Sequence, residues 1–367
     1  MQSVFRTQQV RTAKLYKPLA LDGSGIASRL RDNNFDSLRL IFASMVVAFH
    51  MGFLSQAPSL AWALYISATF AVQAFFVVSG FLVTMSFENS VSMKSYASKR
   101  LRRIAPAYVV AVVGAAVGLS MVSSLQPHEY FTNREFWRYL GLNLTLSNFA
   151  APNLPGVFQS NAVNAVNGSL WTIKIEVAFY CLIPLVVIAA RRFGYGRVLG
   201  AVFIASILWK VGFNAALNVT GNEFYSKLAK QIPGQLSFFA GGAWAYYRTR
   251  DQKRSTGAFL TALSVIAYSV SGTGWFYDLI APVAVTIIVY WAAIAGPRLP
   301  ATGKHGDFSY GIYLYHFPLV QTLVALELFR WSPLAGAITL MVVVGVSAVI
   351  SWRIVEQPLL HRRLTHA

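Results

Sequence analysis

Over 367 residues the chain is 56% hydrophobic and only 12% charged, with a mean hydropathy of +0.51. Soluble domains carry about 25% charged residues, so the apolar surplus requires lipid, and a secreted globular enzyme, a disordered chain and a disulfide scaffold are excluded. No basic and aromatic surface motif accompanies the net charge of +18, which argues against nucleic acid and for a polytopic membrane protein with Lys and Arg in its cytoplasmic loops.

Residues 1–35 are polar and basic, with Arg6, Arg11, Lys14, Lys17, Arg29 and Arg31. They hold no apolar core of a cleavable signal, and read as a cytoplasmic tail with a short amphipathic stretch near Ile26–Leu30. A membrane helix needs about 20 mostly apolar residues, and ten runs meet or approach that. The first five are Asp36–Leu54, Trp62–Phe87, Ile104–Leu125, Leu170–Ala190 and Val198–Leu217. The others are Ile232–Tyr247, Ala258–Val270, Asp278–Ala295, Phe308–Phe329 and Leu334–Val355. Phe136–Ala150, with Arg138, Asn143 and Asn148, reads as an interfacial or re-entrant piece.

With the N-terminus inside, the inner segments hold 22 Lys and Arg and the outer ones 4, which places both termini in the cytoplasm. The expected architecture is therefore all-α: a tail of residues 1–35, a ten-helix membrane domain over 36–355 and a tail of 356–367. The outer segment 126–169 is rich in Asn, Pro and aromatics and is a candidate for recognising something outside. Gly114 with Gly118, and Gly241 with Gly242, read as close helix-packing positions. Cys181, the only cysteine, excludes an internal disulfide and a cysteine metal cluster, and its apolar surroundings predict a buried, inert thiol.

A charge near the bilayer centre costs at least about 2.5–3.5 kcal/mol, so each one requires a partner or a role. Arg39, Lys174, Lys210, His50, Glu176, His316 and Glu327 fall within the predicted spans. Arg39 and His50 are eleven residues apart, within roughly 20° of three full turns, and so share one helix face about 16 Å apart. They read as a cation at the mouth and a titratable imidazole further in, on one wall of a tunnel for an anionic donor, or as an interfacial Arg and a structural His. Arg100 and Arg103 share a face at i, i+3; guanidinium groups suit phosphate oxygens, but taken alone this stretch favours a plain positive-inside anchor.

In the stretch from Gly168 through Trp171 to Tyr180, Thr172, Glu176 and Tyr180 share a face. Glu176 could orient a sugar hydroxyl or a histidine, or pair with Lys174 or Lys210. Further on, Ser309, Tyr313 and His316 line one face at i, i+4, i+7, and Pro318 frees the carbonyl four residues back and kinks the helix. No metal-ligand spacing is present, so no metal is expected.

Together these stretches resemble the acyltransferase-3 family of membrane proteins. The resemblance is carried by Asp36-Ser37-Leu38-Arg39 with His50, by Phe75-Phe76-Val77-Val78-Ser79-Gly80-Phe81-Leu82, and by Lys99-Arg100-Leu101-Arg102-Arg103-Ile104-Ala105-Pro106. It continues with Ser169-Leu170-Trp171, Glu176 and Phe179-Tyr180, then Ser309-Tyr310, Tyr313 and His316-Phe317-Pro318, and ends with Arg353-Ile354-Val355-Glu356-Gln357-Pro358. The chain departs from the family pattern at Ser37 and Leu40, where Gly is frequent, and at Val177, where a second carboxylate is frequent; these bear on the acceptor. Some members carry an extracytoplasmic hydrolase-like domain after the last helix, and none is expected here.

The resemblance implies acyl transfer, usually of acetyl, from cytoplasmic acyl-CoA to hydroxyls of a cell-surface polysaccharide, lipopolysaccharide or related glycan. The expected location is the bacterial cytoplasmic membrane, with a lipid-linked or nascent acceptor and polysaccharide-synthesis machinery as candidate partners. It also implies catalytic roles for Arg39 and His50 and donor binding by Arg100 and Arg103. Glu176, Trp171, Ser309, Tyr313 and His316 are candidate substrate or supporting residues. His50 could take the proton from the acceptor hydroxyl or carry the acyl group itself. A transporter or flippase that exports a glycan or acyl donor is the rival reading; the chain lacks the recurring interrupted helix pair of many secondary transporters.

Overall fold

A computed structural model describes residues 33–251, 257–272 and 274–360. The expected N-terminal tail up to residue 32, its amphipathic stretch, and residues 361–367 of the expected C-terminal tail lie outside the described residues. Among the described residues the chain is helical and contains no strand, as the all-α expectation requires. In chain order the helices are α1 (Phe35–Ser55), α2 (Ala68–Glu88), α3 (Met93–Gly118), α4 (Pro127–Thr132) and α5 (Arg134–Leu144). They continue with α6 (Trp171–Phe193), α7 (Tyr195–Thr220), α8 (Glu223–Ala229), α9 (Ile232–Arg250) and α10 (Ala258–Val270). The last are α11 (Trp275–Tyr290), α12 (Ser309–Ala325), α13 (Leu328–Trp331), α14 (Pro333–Ile350) and α15 (Gln357–Leu360).

Among the described residues, seven helical segments are long and apolar enough to cross a membrane: Phe35–Ser55, Pro58–Glu88, Met93–Val122, Trp171–Phe193, Tyr195–Thr220, Trp275–Ala295 and Pro333–Leu360. Their outward faces are apolar: Ile204 and Leu208 on α7 and Met341, Val342 and Val346 on α14 are all more than half exposed. Such continuous apolar surface belongs in lipid. The other three predicted spans form helices that fall short of this standard. α10 and α12 have 13 and 17 residues, and the 19-residue α9 carries Arg248 and Arg250 in its last turn. The expected interfacial piece contains α5, whose 11 residues are too few to cross; it buries Phe136, Tyr139 and Asn143.

The chain divides into two compact units. The first holds the described residues up to Leu38, Gln73–Arg100 and Ile175–Leu299. Here α2 and α9 touch through glycine: a Cβ on Gly80 would strike the Phe239 carbonyl, and one on Gly242 the Val77 carbonyl. Gly241 is equally closed by Thr286, so the packing reading of 241–242 holds. That of Gly114 and Gly118 does not, because both face open space. Cys181 corrects another expectation. It is exposed, since α6 turns that side outward while Phe179 packs on Phe76 and Phe239.

The intramembrane Lys210 of this unit has a partner, Asp278 at 2.8 Å, whose second oxygen accepts from Asn214 at 2.6 Å. Glu88, 4% exposed, accepts from Arg191 at 2.7 Å and Tyr247 at 2.8 Å.

The second unit holds Arg39–Val72, Leu101–Lys174 and the described residues from Pro300 onward. Its core joins Val47, Met51 and Leu54 of α1 to Phe317 and Val320 of α12, Phe329 of α13, and Leu340 and Val344 of α14. Pro318 has no N–H, which frees the Leu314 carbonyl; Asn167 donates to that oxygen at 2.9 Å. Gln321, fully buried, donates to the Val163 and Ala165 carbonyls. The 161–167 segment is thereby tied to α12 at two levels.

Asn167→Ala is expected to destabilise the protein by about 1–2 kcal/mol, because it orphans a buried carbonyl. Thermal unfolding in detergent should show a loss of a few degrees. Adding Pro318→Ala, which restores the helical N–H, should recover part of it; no recovery would mean that the carbonyl is not what Asn167 serves.

Candidate active site

The Arg39 and His50 face of α1 meets the stretch from Asp307 to His316. Arg39 pairs with Asp307, and His50 Nδ1 lies 2.9 Å from His316 Nε2. Lower number meets lower number, so α1 and α12 run parallel. The eleven-residue spacing on one helix is matched by nine residues on the other.

The proton positions of the histidine pair follow from the groups around it. His316 Nδ1 lies 2.8 Å from the Tyr313 carbonyl, which can only accept, so Nδ1 carries the hydrogen. In neutral His316 the other nitrogen, Nε2, is then an acceptor, and His50 Nδ1 must donate to it. This leaves the lone pair of His50 on Nε2. The two rings stack at 23° with centroids 5.1 Å apart, and the Phe317 ring meets His50 edge-on at 5.0 Å. His316 is fully buried and His50 half-buried. The result is a basic nitrogen oriented by a buried imidazole, which is itself oriented by backbone.

Below this pair, Asp307 receives Arg39, Arg103 and the hydroxyl of Ser309, the last at 2.5 Å. Arg103 also reaches Glu356 at 3.5 Å and lies over the Tyr310 ring. Glu356 is 1% exposed and accepts from Ser351 at 3.0 Å. The two side chains are five residues apart and face each other because Ser351–Glu356 is a π turn, whose bonding period is five. Among the described residues this cluster sets two guanidinium groups against two carboxylates.

The predicted site residues thus fall into two constellations. Arg39, His50, Arg103, Ser309, Tyr313 and His316 lie together in the second unit. Tyr313 OH is 2.8 Å from Thr172 Oγ1 and donates to the Ser169 carbonyl. Half-buried Trp171 is the first residue of α6, between those two partners.

Glu176 and Arg100 belong to the first unit and gather around Tyr180. Glu176 accepts from Tyr180 OH at 2.6 Å and from Ser79 at 3.2 Å, and Arg100 lies 5.5 Å from the centre of the Tyr180 ring. Pro184 frees the Tyr180 carbonyl, and Tyr96 OH donates to it at 2.9 Å. Arg100 Nε is buried with no hydrogen-bond partner among the described residues. The pairing of Glu176 with Lys210 is overturned, since Lys210 is held by Asp278.

Sequence reasoning gave no role to Asp307, Glu356, Thr172 or Ser79. The one sequence signal for Asp307 and Glu356 is the scarcity of acid, with only 13 Asp and Glu in the chain.

A model of the acyltransferase domain matches residues 32–352. The chain belongs to the acyltransferase-3 family. It is 27% identical to an O-acetyl transferase of Shigella phage Sf6 over 90% of this chain and 97% of that protein. It is 31% identical to nodulation protein 10 of Rhizobium leguminosarum bv. viciae over 90% of this chain and 94% of that one. No solved structure matches the chain. Family membership and the apolar helices make the protein an integral membrane acyltransferase. The family match embraces both the histidine pair and the arginine–Asp307 contacts.

Proposed function

We propose that the protein transfers an acyl group, foremost acetyl, from cytoplasmic acyl-CoA to a hydroxyl of a cell-surface glycan. The setting is a bacterial inner membrane, with ten crossings and both termini inside. The parallel run of α1 and α12 fits a first and a ninth span that cross in the same direction.

The observation that carries the chemistry is the run of contacts from the Tyr313 carbonyl through His316 to His50 Nδ1, which argues for a lone pair on His50 Nε2. The acceptor hydroxyl gives its proton to Nε2 while its oxygen attacks the thioester carbonyl. The C–S bond then breaks, and the imidazolium returns the proton to the leaving sulfur, giving an O-acyl ester and free CoA. Arg100 and Arg103 supply guanidinium groups of the kind that hold donor phosphates.

The O-acetyl transferase name of the phage relative supports acetyl as the group moved. Surface glycans from a gene-deletion strain and its complemented parent decide the proposal by mass spectrometry. The deletion strain should lack the mass of one acyl group on the repeat unit. Identical masses with an altered amount of exported glycan would identify a transporter instead.

A further inference from the structure

The ends of α1 and α12 beyond the histidine pair open onto a pocket that the proposed chemistry does not use. Ser55 lies five residues past His50, about 7.5 Å further along the axis, on the side away from Arg39. There the residues after α1, the loop at Ser160 and Asn161, and the turn joining α12 to α13 enclose a pocket of ≈ 470 Å³. A second pocket of ≈ 570 Å³ shares Glu327 and Arg330 with it and adds Trp331. Both are open hollows at the surface rather than enclosed cavities.

The lining has the chemistry of carbohydrate recognition. Trp331, 80% exposed, offers a flat apolar face for the C–H side of a sugar ring. Glu327 and Arg330 pair at 3.0 Å, with side chains 67% and 81% exposed, and together present acceptors and donors to vicinal hydroxyls. Gln56 and Asn161 add amides, and Asn161 is fixed by two 3.0 Å bonds to Gln321. An exposed i,i+3 ion pair contributes little to stability, and a tryptophan this exposed contributes little packing. Gln56 and Glu327 are also two of four non-glycine residues with left-handed backbone among those described, at φ 51° and 57°. Strain of this kind gathers at binding sites.

We infer that this double pocket is the glycan acceptor site, holding one or two sugar units at the end of α1 and α12 that is nearer to His50 than to Arg39. The assignment rests on the acyl-transfer reading. It also orders the second unit along one line, with the arginine–carboxylate cluster at one end, the imidazole base between, and the sugar site at the other. An interfacial anchor is the competing role for Trp331, and it involves neither Glu327 nor Arg330.

The test uses membranes containing the full-length protein, radiolabelled acetyl-CoA, and polysaccharide extracted from the gene-deletion strain as acceptor. For Trp331→Ala, and for Glu327→Gln combined with Arg330→Gln, the half-saturating polysaccharide concentration should rise roughly tenfold. The half-saturating acetyl-CoA concentration should stay at the wild-type value, and Trp331→Phe should keep most of the affinity. An unchanged polysaccharide requirement, or a parallel rise in both requirements, would overturn the site. If the wild-type protein transfers no label to the polysaccharide, the acyl-transfer reading itself fails, and the acceptor site with it.

Discussion

Replacing His50 by alanine should lower acyl transfer by about 100- to 10,000-fold, the usual contribution of a positioned general base. The amount of protein inserted in the membrane should not change, because His50 is only half-buried. His316 is expected to act through His50, as a positioning residue. Its Nε2 holds the His50 Nδ1 proton and so keeps the lone pair on the opposite nitrogen.

His316→Ala should therefore cost at least about tenfold by releasing the tautomer and ring angle. His316→Gln, whose amide oxygen can accept the same proton, should retain more activity than His316→Ala. The double variant His50→Ala/His316→Ala should be no worse than His50→Ala alone, because residues that act as one unit are not additive. Label transfer from acetyl-CoA measures all four proteins. Wild-type activity in His50→Ala would remove the imidazole base. A double variant multiplicatively worse than either single one would give His316 a separate role.

The parts of this site that are legible in sequence are those that lie within one helix. The eleven-residue spacing of Arg39 and His50 sets a shared face, and the Ser309, Tyr313, His316 spacing sets another. Neither says that the two faces meet, because 266 residues separate His50 from His316. Carboxylate partners were hidden for a related reason. Asp307 lies outside the predicted core of its helix, and Glu356 reaches Ser351 only through a π turn that periodicity of 3.6 does not anticipate.

Helices that are apolar all round give no directional signal. That is why Gly114 and Gly118 were read as packed and Cys181 as buried, when all three face outward or into open space. Glycine pairs were correctly read only at 241–242, where Thr286 and the Val77 carbonyl close the gap. The ten expected spans and the seven long apolar helices differ for a physical reason too. A helix sheltered by its neighbours needs less apolar length than one facing lipid, and α9 buries twelve of its 19 residues.

Asp307→Asn should lower the thermal unfolding midpoint in detergent by about 4 °C, the effect of roughly 3 kcal/mol in a chain of this size. Asp307 stands between Arg39 and Arg103, and the three side chains are only 14–19% exposed. Among the described residues, neutralising the carboxylate leaves the two guanidinium groups with Glu356 on Arg103 as the acid that ion-pairs in this cluster, in a place where water screens them poorly. The cost of such a change lies mainly in the charge left without its partner rather than in the bond removed. It follows that Arg39→Gln, added to Asp307→Asn, should raise the midpoint again by restoring the charge balance, although it deletes a second side chain. Arg39→Gln alone should be destabilising, because it strips one cation from the same balance. If the double variant unfolds lower than both single ones, Asp307 acts through its packing and its Ser309 contact rather than through its charge.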